Sequence, residues 1–409
     1  MSSKKPITPP EPISYEEYTQ KVNKLKTMSD VTNFAKELIG PTLQAMFEAE
    51  MTDHLGYDKH SIKGNNSGNS RNGHFQKSVK TSFGEEKLDI PRDRKGEYEP
   101  LAVKKYQTVE SDVEEKIISM YAKGMTTSDI NDYLNDIYGI SVSNTMVSNI
   151  TDKVIPLITE WQARPLDNLY VIIYLDGIHF KVRDNGRIVN KCGYTVLGIT
   201  REGQKELLGI WIGESEGSKF WLKVLNEIQS RGVKDIIIAS VDGLAGFKDA
   251  INTVFPDCQV QQCLVHQVRN TIKYVAHKHR KEFCQDLKTI YRAPTEEAGL
   301  QALEDIKQKW PDYALYLKRW EDKWDQLSVF FQYAEPIRRI IYTNNTVESL
   351  HRQFRKVTKT TSMFPHEEAL VKLLWLAQRD LSRKWTLPIQ NWGEIISQLT
   401  ILFPDRIKL

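Results

Sequence analysis

The sequence is poor in cysteine and has no long hydrophobic run. Four cysteines in 409 residues are too few for a disulfide-stabilised scaffold, so we expect reduced thiols. No apolar stretch approaches the roughly 18 residues that a membrane-spanning helix needs. The first residues, MSSKKPITPPEP, lack the hydrophobic region of a signal peptide. These absences favour a soluble cytoplasmic protein.

The chain also lacks a strong net charge, since its formal charge is only +3. The basic residues are instead concentrated locally. Residues 352–384 hold eight Lys or Arg against three acidic residues, and residues 269–292 hold seven against two. Such groups attract phosphate when they fold onto one surface. The overall charge therefore neither requires nor excludes a nucleic-acid partner.

The first part of the chain, residues 13–110, predicts helices followed by a β-hairpin. Apolar residues recur at helical steps as far as Leu55, and a segment rich in Gly, Asn and Ser follows. Two short strands are expected around Gln76–Phe83 and Glu86–Ile90. We interpret this region as a support for dimerisation or DNA contact. The Pro-rich residues 1–12 are expected to form a disordered tail.

Residues 111–160 have the pattern of three short helices with tight glycine turns. One helix begins with Thr126-x-x-Asp129 and ends at Gly139, which are typical start and stop signals. The pattern predicts a helix-turn-helix unit whose last helix enters the major groove of DNA. Several acidic residues make the segment poorly suited to phosphate contact, so an ordinary three-helix core is the alternative. The DNA-binding candidates on the last helix are Asn144, Thr145, Ser148, Asn149 and Lys153.

Two buried strands, predicted over residues 170–177 and 234–243, both end in Asp-Gly, as Asp176-Gly177 and Asp242-Gly243. An Asp-Gly pair after a strand commonly forms a turn. Two carboxylates at the ends of neighbouring parallel strands would instead share one edge of a sheet, where sites of α/β proteins collect. Strands come first here and then alternate with helices, which predicts a mixed sheet with helices on its faces.

A third acidic residue, Glu348, begins a basic amphipathic helix in YTNNTVESLHRQFRK. Its plain role is helix capping together with Asn345. On a helical wheel, however, Glu348 shares one face with cationic residues, as a metal ligand ahead of a phosphate-binding helix would. The apolar residues on the opposite face are Val347, Leu350, Phe354 and Val357. The cationic candidates for DNA contact are Arg352, Arg355, Lys356 and Lys359.

The two aspartates and the glutamate offer hard oxygen ligands, which suit Mg²⁺ or Mn²⁺. Two such ions about 4 Å apart can activate an attacking oxygen and stabilise a leaving oxygen in phosphoryl transfer. Asp176, Asp242 and Glu348 would suit a site for two Mg²⁺ or Mn²⁺ ions, whereas turn and cap roles are the alternative.

The chain resembles the Mutator-type DDE transposases of bacterial insertion sequences, both in these residues with their spacing and in the neighbouring sequence. The resemblance rests on LDGIHFKVR, EGSKFWLKVLNEIQSRGV, SVDGLAGF, QQCLVHQVRN and TNNTVESLHRQFRK, and it runs from about residue 40 to residue 385. It implies an α/β fold with a ribonuclease H-like mixed sheet and flanking helices, interrupted by an all-helical insertion. It also implies Asp176, Asp242 and Glu348 as the catalytic and metal-binding residues.

The resemblance further implies how the second part of the chain is divided and what it does. Members of the family cut at terminal inverted repeats and join the freed 3′-OH to target DNA.

Because pairing of two DNA ends needs at least two copies of the protein, we expect a homodimer or higher oligomer, associated with the bacterial nucleoid. The expected segments are a catalytic core at 165–266, an all-helical insertion at 267–335, the rest of the core with the Glu helix at 336–385, and a tail at 386–409.

Cys263 and His266 follow the second aspartate in QQCLVHQVRN, on a segment that we expect to be a strand. In the resembled family this pair is a signature near the active site, where it would orient ligands or scissile DNA. Half of a zinc site and a buried Cys with a satisfied His are the alternatives. Arg269, on the helix that follows, is a candidate for phosphate contact or a plain surface residue. We expect Trp310, Trp320 and Trp324 to lie in the core of the insertion rather than to stack on bases of DNA.

The sequence therefore predicts a DNA transposase that uses divalent metal ions, acts on double-stranded DNA and has no membrane partner. One alternative is a catalytically inactive, sequence-specific DNA-binding regulator derived from a transposase, which would bind DNA without nicking it. A second alternative is a nuclease with the same fold and chemistry but without strand transfer.

Overall fold

The computed structural model describes residues 14–65, 67–105, 107–214, 217–342 and 345–407. The predicted tail at residues 1–12 lies outside these ranges. The chain forms two compact units, and residues 122–124 belong with the second. Within the described ranges, every helix is too short or too polar to cross a lipid bilayer.

The first unit begins with helices and a β-hairpin. Helices α1 (Tyr15–Val22) and α2 (Met28–Leu55) precede the antiparallel strands β1 (Arg71–Thr81) and β2 (Gly84–Asp93). Both strands are longer than the alternation of the sequence predicts, because backbone pairing continues into polar residues at their outer ends. Helix α2 packs on the hairpin through a small core that contains Phe47, Val79, Leu88 and Ile90.

Three short helices follow in the chain, α3 (Ser111–Ala122), α4 (Thr127–Tyr138) and α5 (Asn144–Asp152). The predicted start of α4 is confirmed, since the Thr126 side chain accepts from the Asp129 backbone N–H. Its predicted end is also confirmed, because Gly139 adopts a left-handed conformation with φ 64°. The three helices enclose an apolar core that includes Val113, Ile117, Ile130, Leu134, Val147 and Ile150.

The second unit is built on a mixed sheet, as expected. Helix α6 (Ile155–Ala163) leads into it. The described residues form five strands in the order β5-β4-β3-β6-β7, in which β3, β4 and β5 are antiparallel neighbours and β6 and β7 run parallel to β3. The strands are β3 (Leu169–Asp184), β4 (Arg187–Ile199), β5 (Lys205–Gly213), β6 (Asp235–Val241) and β7 (Gln259–Gln262).

The first predicted strand does not end at Asp176-Gly177. Strand β3 continues to Asp184, because β4 pairs with it from Ile172 to Asp184 and Asp176 lies opposite Thr195. Only the parallel pairing with β6 stops just before Asp176. The turn interpretation of this Asp-Gly pair is therefore wrong, whereas Asp242 does follow the end of its strand.

Two helices cover one face of the sheet. Helices α7 (Ser218–Ser230) and α8 (Phe247–Val254) pack against each other and join a core cluster with the strands. The rings of Trp221 and Phe247 contact each other in this core, with centroids 4.9 Å apart and 32° between the ring planes. Full burial of such side chains contributes roughly 1.5–3 kcal/mol each, so this layer is a rigid support for the strand ends.

The segment between β7 and the next core helix is all helical. Its two ends meet, because the Leu264 N–H donates to the Tyr342 carbonyl at 3.2 Å. Its last helix, α14, is tied to the sheet by Tyr174 and Ser240, whose hydroxyls donate to the carbonyls of Ile340 and Ile341. The helices are α9 (Leu264–Ile272), α10 (Arg280–Tyr291), α11 (Glu296–Lys309), α12 (Ala314–Glu321), α13 (Trp324–Leu327) and α14 (Glu335–Ile341).

The chain then returns to the sheet through helices α15 (Asn345–Thr358) and α16 (Glu367–Ser382). Val347, Leu350 and Phe354 are buried, as the helical wheel of α15 predicts. The side chain of Asn345 lies outside what the structure describes, so its predicted capping role gets no structural account. The segment that we expected as a tail contains helix α17 (Trp392–Leu402).

Candidate active site

Asp176 and Asp242 occupy equivalent positions on neighbouring strands. Strands β3 and β6 are parallel, and their register pairs Leu175 with Val241. Asp176 and Asp242 are the next residues along the chain, the first within β3 and the second just after β6. Because adjacent strands lie about 4.8 Å apart, the two carboxylates begin from neighbouring backbone positions. Asp176 is buried and Asp242 is half-buried.

The glycine after each aspartate lies in crowded surroundings. A Cβ on Gly177 would meet the Cys192 sulfur at 2.6 Å. A Cβ on Gly243 would overlap the Gln262 side-chain amide and approach the Lys323 ammonium at 3.1 Å. Both Asp-Gly pairs therefore reflect close packing behind the aspartates, which narrows the positions that the carboxylates can take.

Helix α9 contacts two of the three carboxylates. The predicted strand through Cys263 and His266 is wrong, because β7 ends at Gln262 and His266 lies in the first turn of α9. The His266 Nδ1 forms an ion pair with the Asp242 Oδ1. One turn later, the Arg269 Nη1 lies 2.5 Å from the Glu348 Oε1. Residues three apart share one helix face, so a single face of α9 links Asp242 to Glu348.

Helix α15 supplies a second link. Glu348 lies in its first turn, and His351 follows one turn later. The buried His351 places its Nδ1 3.4 Å from the Asp176 Oδ2 and its Nε2 3.0 Å from the Thr195 hydroxyl oxygen. Asp176, Asp242 and Glu348, which we call the carboxylate cluster, are therefore joined through side chains of α9 and α15.

The two histidines have opposite charge states at neutral pH. Hydrogen bonds with Asp242 and Cys263 raise the pKa of His266 to about 10, despite its partial burial. Burial lowers the pKa of His351 to about 3, and the nearby charges of Arg355 and His266 act in the same direction. His266 is thus a cation beside Asp242, whereas His351 is a neutral ring beside Asp176.

Cys263 and His266 belong to the same neighbourhood as the second aspartate. One ligand atom from each of Asp242, Cys263 and His266 lies within 4.8 Å of the others. Within the described ranges, this is the one group of three such residues that satisfies that distance. Cys258, Cys284, His277 and His279, which could have completed a zinc site, are not part of this group.

The predicted DNA-contact residues fall in two places. On and just after α15, Arg352, Arg355, Lys356 and Lys359 are exposed, whereas Arg269 is paired with Glu348. The other candidates lie on and just after α5, in the chain's three-helix segment. There, Ser148 is half-buried and the exposed candidates are Asn144, Thr145, Asn149 and Lys153.

Sequence reasoning missed several side chains around the site. No role was predicted for His351. A polar residue among the apolar positions of α15 does indicate a specific buried contact. Sequence reasoning also missed Lys323, whose ammonium donates to the Gly243 carbonyl at 2.9 Å. In the insertion, Trp320 is buried and the indole N–H groups of Trp310, Trp320 and Trp324 donate to Asp286, Thr271 and Glu296.

Comparisons with known proteins agree on one family. Residues 14–387 match the family model described as "Transposase, Mutator family". The chain is 41% identical over 365 residues, 89% of this chain and 90% of the relative, to a probable transposase for insertion sequence element ISRM3-like of Sinorhizobium fredii (strain NBRC 101917 / NGR234). It is also 41% identical over 368 residues, with the same coverage of 89% and 90%, to the transposase for insertion sequence element ISRM3 of Rhizobium meliloti (strain 1021).

Among solved structures, the Drosophila P element transposase strand transfer complex is similar over 67% of this chain and 92% of that chain, at 9% identity and a TM-score of 0.36. This likeness is too weak to inform the fold.

Proposed function

Because this chain belongs to the Mutator family of transposases, we propose that it cuts and joins DNA strands of an insertion sequence at the carboxylate cluster. The observation that carries the proposal is the shared contact network of Asp176, Asp242 and Glu348. Two of these residues lie side by side on parallel strands, and the third is linked to them through α9 and α15.

The donor set fits divalent metal ions of the hard class. Three carboxylates supply oxygen ligands, which Mg²⁺ and Mn²⁺ prefer over nitrogen and sulfur. Bound ions would supply the Lewis acidity that activates the attacking oxygen and stabilises the leaving oxygen. Asp176 and Asp242 would hold ions between the two strands, and Glu348 would complete the site from α15. Two Mg²⁺ or Mn²⁺ ions are proposed.

The cations of α9 compensate the acidic charge when no metal is bound. His266 pairs with Asp242 and Arg269 pairs with Glu348, so two of the three carboxylates already have a positive partner. We propose that His266 orients Asp242 through this hydrogen bond, with Cys263 as a second hydrogen-bond partner of the histidine. Arg269 is free to turn from Glu348 to a DNA phosphate when an ion takes its place.

A ribonuclease H-like core is part of the proposal. Its support is the strand order, with three antiparallel strands followed by two strands parallel to β3. Asp176 lies within β3 and Asp242 follows the neighbouring strand β6, and the helical insertion separates both from the Glu helix. The same chain order is expected from the resembled family.

DNA contact would involve both units. The exposed cations Arg352, Arg355, Lys356 and Lys359 would contact the phosphate backbone next to Glu348. We propose that residues 111–160 act as a helix-turn-helix that recognises the terminal inverted repeats through α5. The region 13–110 would support a dimer or higher oligomer, since pairing of two ends requires at least two copies.

The test is Mg²⁺-dependent cleavage of a duplex that carries the end of the insertion sequence, followed by an assay for joined product. Asp242→Asn is expected to abolish cleavage, whereas Asp249→Asn, an exposed acid on α8, is the matched control. Specific binding without any metal-dependent nicking by the wild type would favour the inactive regulator. Cleavage without a joined product would favour the nuclease.

A further inference from the structure

A cavity of about 220 Å³ lies between helix α9 and helix α12 of the insertion. Three cationic side chains line it, Lys273, Arg319 and Lys323, against one acidic residue, Asp322. Two tyrosines, Tyr274 and Tyr316, form part of its wall. The combination of aromatic rings and cations suits a planar group attached to an anion.

The two tyrosines form an aromatic platform. Their rings stack in parallel, with centroids 4.4 Å apart and 5° between the ring planes. The Arg319 guanidinium carbon lies 5.4 Å from the Tyr274 centroid and 5.7 Å from the Tyr316 centroid, a cation–π arrangement. Tyr274 is 50% exposed, so this large aromatic side chain keeps an open surface beside the cavity.

Hydrogen bonds between α12 and α9 hold the side chains next to this platform in place. The buried Trp320 donates its indole N–H to the Thr271 hydroxyl oxygen at 2.9 Å, and that hydroxyl donates to the Gln267 carbonyl at 2.8 Å. These bonds tie α12 to α9 next to the tyrosines. A platform that is already ordered loses little conformational entropy when a ligand stacks on it.

The cavity adjoins the second catalytic aspartate in two ways. Lys323, which lines it, donates to the carbonyl of Gly243 at 2.9 Å, and Gly243 directly follows Asp242. Helix α9 also carries both His266 and Arg269 before it reaches Lys273. Lys323 and helix α9 therefore connect the lining of the cavity to the residues around Asp242.

We propose that this cavity binds an unpaired nucleotide next to the phosphodiester that is cut, with its base on the Tyr274–Tyr316 platform. Aromatic platforms bind bases of any sequence, because every base offers a π-face. Arg319 and Lys273 would contact the phosphate of that nucleotide. The inference rests on the proposed function, since it assigns the cavity to DNA held at the carboxylate cluster.

The experiment uses the full chain and a duplex with a short single-stranded tail that contains 2-aminopurine, whose fluorescence falls when it stacks. Ca²⁺ replaces Mg²⁺, so that binding is measured without cleavage. We expect the wild type and Tyr274→Phe to quench the probe. Tyr274→Ala is expected to bind the tailed duplex about 5- to 150-fold more weakly and to lose the quenching.

Leu315→Ala is the matched control, because Leu315 is 70% exposed on the same helix as Tyr316 and does not line the cavity. The proposal is overturned if the wild type does not quench the probe, or if Tyr274→Ala quenches it as the wild type does. Failure of the proposed function is recognised separately, as an absence of Mg²⁺-dependent cleavage by the wild type. The fluorescence result does not depend on that cleavage.

Discussion

Arg269 on α9 forms an ion pair with Glu348 on α15, in which the Nη1 lies 2.5 Å from the Oε1. The pair joins the first helix of the insertion to the helix that carries the third carboxylate. The side chains are 51% and 30% exposed, and ion pairs open to solvent contribute about 0–1 kcal/mol. The bond is therefore weak enough to exchange for a metal ion and a phosphate.

The first prediction concerns this exchange. Arg269→Ala removes the cation that competes for Glu348, so half-maximal metal binding should need less Mn²⁺ than in the wild type. DNA binding should weaken at the same time, because a phosphate contact is lost. Titration calorimetry with Mn²⁺ measures the first effect, and Lys278→Ala, an exposed cation of the same insertion, is the control. An unchanged Mn²⁺ affinity would contradict the exchange.

The second prediction separates chemistry from binding. Glu348→Gln keeps the size of the side chain and removes its charge, so cleavage should fall on the order of a thousandfold, as loss of several kcal/mol of metal-dependent stabilisation implies. Binding of the uncut duplex should stay close to that of the wild type. Parallel cleavage and gel-shift assays measure both, and equal losses in the two assays would argue against a catalytic role.

The third prediction assigns His351 a positioning role. Because its ring lies between Asp176 and Thr195, His351→Ala should remove one contact of the Asp176 carboxylate and leave its position less defined. Cleavage is expected to fall about 10- to 100-fold, as with other partners of metal ligands, and the Mg²⁺ requirement should rise. His351→Asn keeps a polar partner and should recover part of the activity. If the Ala and Asn variants are equally active and the Mg²⁺ requirement does not change, His351 only fills space in the core and does not position Asp176.

The fourth prediction concerns the basic face of α15. Arg355 is exposed, and its replacement by Ala should weaken DNA binding equally for all sequences. The slope of log K against log salt should become shallower by about 1. Lys288→Ala, an exposed cation on α10, should leave that slope unchanged. An identical salt slope in Arg355→Ala and the wild type would show that Arg355 does not contact a DNA phosphate.

The fifth prediction is a pH dependence in the first unit. Burial alone would raise the pKa of Asp93, but hydrogen bonds from Asn69, Tyr98 and Glu97 lower it to about 2, from 3.8. Because the folded pKa lies below the unfolded one, Asp93 stabilises the fold above about pH 4, and this stability is lost as the pH falls towards 2.

Asp93→Asn should therefore destabilise the hairpin region at neutral pH by about 1–3 kcal/mol, and the difference from the wild type should shrink below pH 4. Hydrogen exchange of peptides that cover residues 69–98 measures the first effect, and acid unfolding measures the second. An equal difference at pH 7 and pH 2.5 would show that the charge of Asp93 is not the cause.

The sequence predicted the parts of the site that depend on short-range periodicity. The mixed sheet follows from apolar strands that alternate with helices, and the buried face of α15 follows from the spacing of Val347, Leu350 and Phe354. The ends of α4 follow from Thr126 and Gly139. In each case the local pattern and the tertiary structure favour the same conformation.

The missed features depend on partners that are distant in sequence. Strand β3 passes through Asp176-Gly177 because β4 pairs beside it, and an Asp-Gly pair alone predicts a turn. The run from Cys263 to His266 is short and apolar, and such runs do not distinguish strand from helix. The Tyr274–Tyr316 stack joins two separate helices, so no periodicity within either helix indicates it.

The insertion between β7 and α14 has a consequence for the order in which the protein is made. A ribosome completes the strands that carry Asp176 and Asp242 well before α15 is synthesised. The third carboxylate joins them only after the whole insertion has closed on itself, and contacts between distant segments form late in folding. A nascent or prematurely terminated chain would therefore lack the complete carboxylate cluster. Under the proposed function, such an unfinished copy would not cut the chromosome.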